Sequence, residues 1–175
     1  MEQEPASADG FINPLYKDTK VREEIEKTLK NEKTAFLQEF LNSRVADFLI
    51  RKLEQENYKK QYIPDLYSYA TCSVNQEFFK ELVVFINPFA KVTRVNIRKF
   101  QGGDYRILNE QLKAEEKAIL ILFEQNNVTL TFAYADGTNI TPPSNSLFLT
   151  LRTDAFAIHY ISEQARMPFY LVSFS

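Results

Sequence analysis

The chain has 175 residues, 45% hydrophobic and 25% charged, which is enough to bury one sizeable core and too apolar for a disordered chain. A net charge of −2 gives no broad basic field, which argues against extensive contact with nucleic acid. A single cysteine, Cys72, excludes an intrachain disulfide, and no run approaches the ~18 apolar residues of a membrane span.

The acidic start MEQEPASADG has no apolar leader, and residues 1–15 are expected to form a flexible tail. VREEIEKTLKN places Val21, Ile25 and Leu29 on one face of a short helix. TAFLQEFL begins as a strand. Ser43 then offers an N-cap, and Val45, Phe48, Leu49 and Leu53 form the apolar face of a second helix. YIPDLYSYATCS is read as a loop or extended segment because of Pro64. Ser73 and Gln76 have capping-box spacing ahead of EFFKELVVFI, where Phe78, Phe79, Leu82, Val83 and Ile86 suit a buried helix that Asn87-Pro88 ends.

From residue 92 onward the period shifts toward two. VTRVNIRKF, KAILILFEQ, NVTLTFAYADG, NSLFLTLRT, AFAIHYIS and MPFYLVSFS read as strands, with Asp136-Gly137 as a turn. Helical support over about 20–88 and a strand-rich core over about 92–175 predict one α+β domain spanning 16–175. With one unpaired thiol, the expected setting is a reducing one, cytoplasmic with the nucleus as the alternative.

The order of these pieces resembles the 2-oxoglutarate and iron-dependent oxygenases of the prolyl-hydroxylase type, and within them the branch that hydroxylates a ribosomal protein. FLNSRVADFLIRKL is similar to the family's first core helix. VNIRKFQGGDYRI is similar to the strand and turn that deliver His-x-Asp, and VTLTFAYADG…ITPPSNSLFLTL to its next strands. FAIHYI resembles the strand carrying the distal iron ligand, and ARMPFYLVSF the final strand with the co-substrate arginine. The resemblance implies a double-stranded β-helix, or jelly roll, with N-terminal helices packed outside it.

Carried over residue by residue, the resemblance gives vestigial metal-site positions at Leu108, Glu110 and His159, and residual carboxylate binding at Arg166. The iron centre of that family needs two imidazoles and a carboxylate. The chain holds one histidine in total, and Leu108 has no donor atom, so no shift of register completes the set. His159 reads equally as a hydrogen-bonded strand residue, and Arg166 as a charge at a turn. Fe(II) and 2-oxoglutarate are therefore expected to have been lost, leaving no catalytic residue and no metal.

Three readings follow. The first is a catalytically inactive protein-binding module whose partner, by analogy, is the ribosome or a ribosomal protein. The second is an active hydroxylase with a non-standard metal site. The third is a structural subunit with Leu108 packed into its interior. Arg94, Arg98 and Lys99 form a candidate basic patch; Glu115 and Glu116 read as solvated; Cys72 reads as a small core residue.

Overall fold

The first helix starts where a carboxylate can serve it. Asp18 accepts from the amides of Lys20 and Val21, filling needs that every helix start leaves open. In the computed structural model, which describes residues 10–108, 115–124 and 128–175, α1 (Thr19–Glu32) buries Ile25 and Leu29 of the predicted stripe. Strand β1 (Thr34–Leu37) follows, and α2 (Ser43–Glu54) turns Val45, Ala46, Leu49 and Leu53 inward. Its N-cap is Asn42 rather than Ser43, because the Asn42 side chain is the one that accepts from the Arg44 amide.

The segment read as a loop or extended stretch is a hairpin, extended along its second strand. β2 (Lys59–Ile63) and β3 (Tyr67–Cys72) pair antiparallel around a tight turn in which Asp65 takes φ +60°. Next, a 3-10 turn (Gln76–Phe79) leads into α3 (Lys80–Ile86), which buries Leu82, Phe85 and Ile86. Asn75 caps that turn, not the predicted Ser73.

The remaining strands are β4 (Val95–Phe100), β5 (Tyr105–Arg106), β6 (Ala118–Leu122), β7 (Phe132–Tyr134), β8 (Asn139–Ile140), β9 (Ser146–Thr150), β10 (Phe156–Ile158) and β11 (Phe169–Phe174). They form a curled antiparallel sheet with the order β1-β9-β6-β11-β4-β3-β5-β10-β7-β8, and β2 flanks β3. This is the expected jelly roll. One wall is β1-β9-β6-β11-β4, the other is β5-β10-β7-β8, and β3 hydrogen-bonds to both β4 and β5, joining them.

Alternation along the strands sorts two cores. Leu120, Leu122, Leu147, Leu149, Val172 and Phe174 face the helices, where they meet Leu49, Leu82 and Ile86. Phe100, Ile119, Ile121, Phe148, Phe169 and Leu171 face the other way and pack against Phe132, Phe156 and Ile158 between the walls. The aromatic-rich composition is spent here: Phe36 stacks on Phe148 at 4.7 Å and Phe132 lies 4.8 Å from Phe156.

Two long-range ties set the chain ends of the roll. Ile12 is 2% exposed and bridges Leu41, so packed chain begins inside the segment expected to be a tail. Asn145, at φ +57°, clamps Leu41 with both ends of its amide: Oδ1 accepts from the Leu41 amide at 2.9 Å and Nδ2 donates to the Leu41 carbonyl at 2.8 Å. No helix among the described residues is long and apolar enough to cross a membrane.

Candidate functional site

The resemblance directs attention to the strands that would carry metal ligands, β5 and β10. They are direct neighbours, with Arg106 opposite Ile158. Leu108 follows β5 and is 39% exposed, so the interior packing expected in the third reading is absent. His159 follows β10 and is exposed, with its amide donating to the Thr131 carbonyl at 3.0 Å. The buried residues of β10 are Phe156 and Ile158. Arg166 is exposed ahead of β11. Glu110 lies outside the described residues. Leu108, His159 and Arg166 are each exposed.

What fills the junction of β5 and β10 is different chemistry. The Arg106 guanidinium lies 5.0 Å from the centroid of the Phe156 ring. Its Nη1 donates to Glu116 Oε1 at 2.6 Å, and Arg98 Nη1 donates to the same oxygen at 2.6 Å. The three side chains are only 12%, 21% and 4% exposed for Arg106, Arg98 and Glu116 respectively. Burial alone would raise the Glu116 carboxyl. The charges and hydrogen bonds of Arg106 and Arg98 outweigh it and hold the group down at about 2.

This overturns two expectations. Glu116 is not solvated with Glu115; it is the buried anchor of a two-arginine cluster, while Glu115 is exposed. The basic patch also comes apart, because adjacent residues of a strand face opposite ways. Arg98 points between the walls toward Glu116, whereas Lys99 lies over the Tyr58 ring on the helix side at 4.9 Å. Arg94 is exposed and its backbone pairs with Ser175.

Three further groups complete this end of the roll. Tyr134, beside Phe156 at 5.7 Å, is 3% exposed, and burial pushes its phenol up. Arg152 covers the Tyr134 ring at 3.8 Å and binds Asp136 and Asp154, at 2.8 Å and 2.5 Å. On the outer side of β5, the buried Asp104 accepts from Ser68 Oγ at 2.7 Å, from the Gln101 amide at 2.8 Å and from Lys60. That carboxylate organises the Gly102-Gly103 turn. Gly103 has φ +88°, and a Cβ on Gly102 would meet the Glu163 backbone at 3.0 Å.

Do these residues fit the iron that the fold family implies? An iron centre of that type takes two neutral imidazole nitrogens and a carboxylate. The chain has a single imidazole, and it is exposed. Among the described residues no three of His, Cys, Asp or Glu gather closely enough to hold a metal ion. The donor set does not fit. Cys72, half-buried beside Tyr58, has its thiol raised by burial, which makes it a packed residue rather than a nucleophile.

Comparison with known proteins bears on the fold alone. A scan of protein-family models finds no match, and a search of curated proteins finds none either. Solved structures do align over most of the chain. A prolyl-4-hydroxylase from Pseudomonas putida has a TM-score of 0.61 at 13% identity, covering 86% of this chain and 96% of its own. A 2OG-Fe(II) oxygenase family oxidoreductase from Burkholderia pseudomallei gives 0.59 at 11%, covering 87% and 88%. The viral collagen prolyl hydroxylase of Paramecium Bursaria Chlorella virus-1, solved with 2OG, gives 0.52 at 11%, covering 83% and 96%.

Proposed function

We propose that the chain is a 2-oxoglutarate oxygenase relative of the prolyl-hydroxylase type that has given up catalysis and serves as a protein-binding module. The observation that carries this reading is the junction of β5 and β10. There the roll holds Arg106 over Phe156, locked to Glu116 and Arg98, in place of two imidazoles and a carboxylate. A buried arginine–carboxylate cluster supports charge and geometry without supplying an open coordination position. Fe(II) and 2-oxoglutarate are accordingly not cofactors of this protein.

The binding half of the proposal rests on where apolar surface is left uncovered. Tyr62 and Ile63 on β2, Ile107 and Leu108 after β5, and Tyr160 after β10 are all 39% exposed or more. The strands that carry them run side by side in the order β2-β3-β5-β10. Large apolar side chains exposed on both faces of adjoining elements offer protein a contact edge. By analogy with the family branch the sequence resembles, the partner is a ribosome or ribosomal protein, met in the cytoplasm.

Two measurements test this. Incubated with Fe(II), ascorbate and 2-oxoglutarate, the pure protein should form no succinate above a no-enzyme control; chelator-sensitive succinate formation would establish the active-hydroxylase reading instead. The protein should also co-sediment with ribosomes at low salt, and a paired Tyr62→Ser, Ile63→Ser variant should not. Sedimentation indifferent to that change would remove the partner assignment.

A further inference from the structure

Between the walls, charge and hydrogen bonding are both left incomplete at one place. Two guanidiniums, Arg98 and Arg106, share a single carboxylate oxygen of Glu116, so the buried trio carries one excess positive charge. Arg152 and its two carboxylates, Asp136 and Asp154, carry the opposite excess nearby. Those carboxylates are about half exposed, at 52% and 45%, where solvent screens them, and both are already committed to Arg152.

The second observation is independent of charge. The Ser173 hydroxyl is buried, at 2% exposure of its residue, and has no hydrogen-bond partner. The Tyr134 phenol is buried too, at 3% exposure of its residue, but the Thr150 hydroxyl lies beside it as a partner. Buried hydroxyls in folded proteins are almost always paired, so an unpaired one on the same face as a charged cluster points to a missing ligand.

The strand register sets Ser173 on the face that carries Arg98. On β11, Phe169 and Leu171 face between the walls while Tyr170, Val172 and Phe174 face the helices, so Ser173 also faces between the walls. Across the ladder Leu171 opposes Arg98 and Ser173 opposes Asn96, which makes Arg98 and Ser173 diagonal neighbours on one face. Tyr134 and Arg106 flank Phe156 from either side, the first ring to ring and the second over its face.

We propose that the end of the roll lined by Arg98, Arg106, Tyr134 and Ser173 is a binding site for a small singly charged oxyanion, the carboxylate or phosphate group of a small molecule. The anion cancels the excess charge of the trio. It accepts from guanidinium N–H groups of Arg98 and Arg106 and from the orphaned Ser173 hydroxyl, with the two-pronged geometry that guanidinium offers. The site lies at the opposite end of β11 from Arg166, since Phe169 pairs with Phe100 and Ser173 with Asn96. It is thus separate from the carboxylate position that the family resemblance suggests, and it stands whether or not the protein binds ribosomes.

The test uses the full chain at neutral pH. Thermal unfolding is followed in increasing acetate, inorganic phosphate or chloride at equal ionic strength. The midpoint should rise with acetate or phosphate relative to chloride, because a ligand of the folded state stabilises it by mass action. A rise in acetate alone assigns a carboxylate, and a rise in phosphate alone a phosphate group. Arg106→Gln should abolish the rise. Ser173→Ala, which leaves the charges and fold in place, should weaken binding severalfold and covers the case where Arg106→Gln does not fold. Lys99→Gln, the neighbouring cation on the opposite face of β4, should leave it unchanged. Midpoints in acetate and phosphate equal to those in chloride, or a rise that survives Ser173→Ala undiminished, would overturn the proposal.

Discussion

Replacing Glu116 with glutamine removes one negative charge from between two arginines and leaves the shape nearly intact. At 4% exposure, water does little to soften that loss. The drop of its carboxyl from 4.5 to about 2 corresponds to about 3 kcal/mol at ~1.36 kcal/mol per pH unit. Removal of one partner from a buried ion pair costs roughly 3–5 kcal/mol, which agrees. For a domain of this length, that is a fall in melting temperature of roughly 6–20 °C, at about 2–4 °C per kcal/mol. The sign of the pH dependence follows from the lowered folded-state value. The contribution is complete above pH 4.5, where the unfolded side chain is also ionised, and disappears as the pH falls toward 2. Urea unfolding of wild type, Glu116→Gln and Glu115→Gln at pH 7 and near pH 2.5 is the assay. The gap between wild type and Glu116→Gln should be wide at pH 7 and narrow in acid, while Glu115→Gln should stay within about 0.5 kcal/mol of wild type. A Glu116→Gln gap below about 1 kcal/mol at pH 7, or one that widens in acid, would refute the cluster as described.

Other expectations concern the surrounding frame. Asp104→Ala leaves the Ser68 hydroxyl and the Gln101 amide without an acceptor and should cost roughly 2–3 kcal/mol, seen as a lower urea midpoint at unchanged slope. At the glycine turn the two positions should differ. Gly103→Ala meets the Tyr160 hydroxyl at an ordinary 3.7 Å contact and bears mainly the strain of φ +88°, roughly 1–2 kcal/mol, whereas Gly102→Ala presses on the Glu163 backbone and should cost roughly 1–3 kcal/mol by displacing it. Calorimetry reads both losses, and amide exchange should show Gly102→Ala disturbing the 162–163 segment and Gly103→Ala leaving it alone. Asn145→Ala strips both bonds from Leu41 and puts a strained alanine at φ +57°; a loss of roughly 2–4 kcal/mol in thermal unfolding is expected.

The strand-rich half was legible in the residues because most of its strands are buried on one or both faces, while the jelly roll itself came from the resemblance. AILIL of β6 and SLFLT of β9 are buried at every position, and apolar runs of that kind announce themselves. The β2–β3 hairpin was missed for the opposite reason. Lys59, Lys60, Tyr62 and Ile63 are exposed, so β2 carries no inside–outside alternation, and Pro64 suggested a break where there is a turn. The site was harder still. Glu115-Glu116 looks like solvated charge because sequence cannot tell which of two adjacent carboxylates turns inward. One signal was available: Arg98 sits at the inward parity of β4, two residues before Phe100, and an inward arginine requires a buried acid. Parity also separates His159 from the inward residues Phe156 and Ile158 of β10.

β3 is bonded to the hairpin strand on one side and, on the other, to a strand from each wall. The projecting hairpin is therefore a handle rather than a lid: it cannot swing on a hinge without breaking the seam that closes the roll. A polypeptide clipped along β2 would join a ladder that runs through β3 into both sides of the molecule, so its grip would be felt as stiffening on either side of the cluster of Arg98, Glu116 and Arg106.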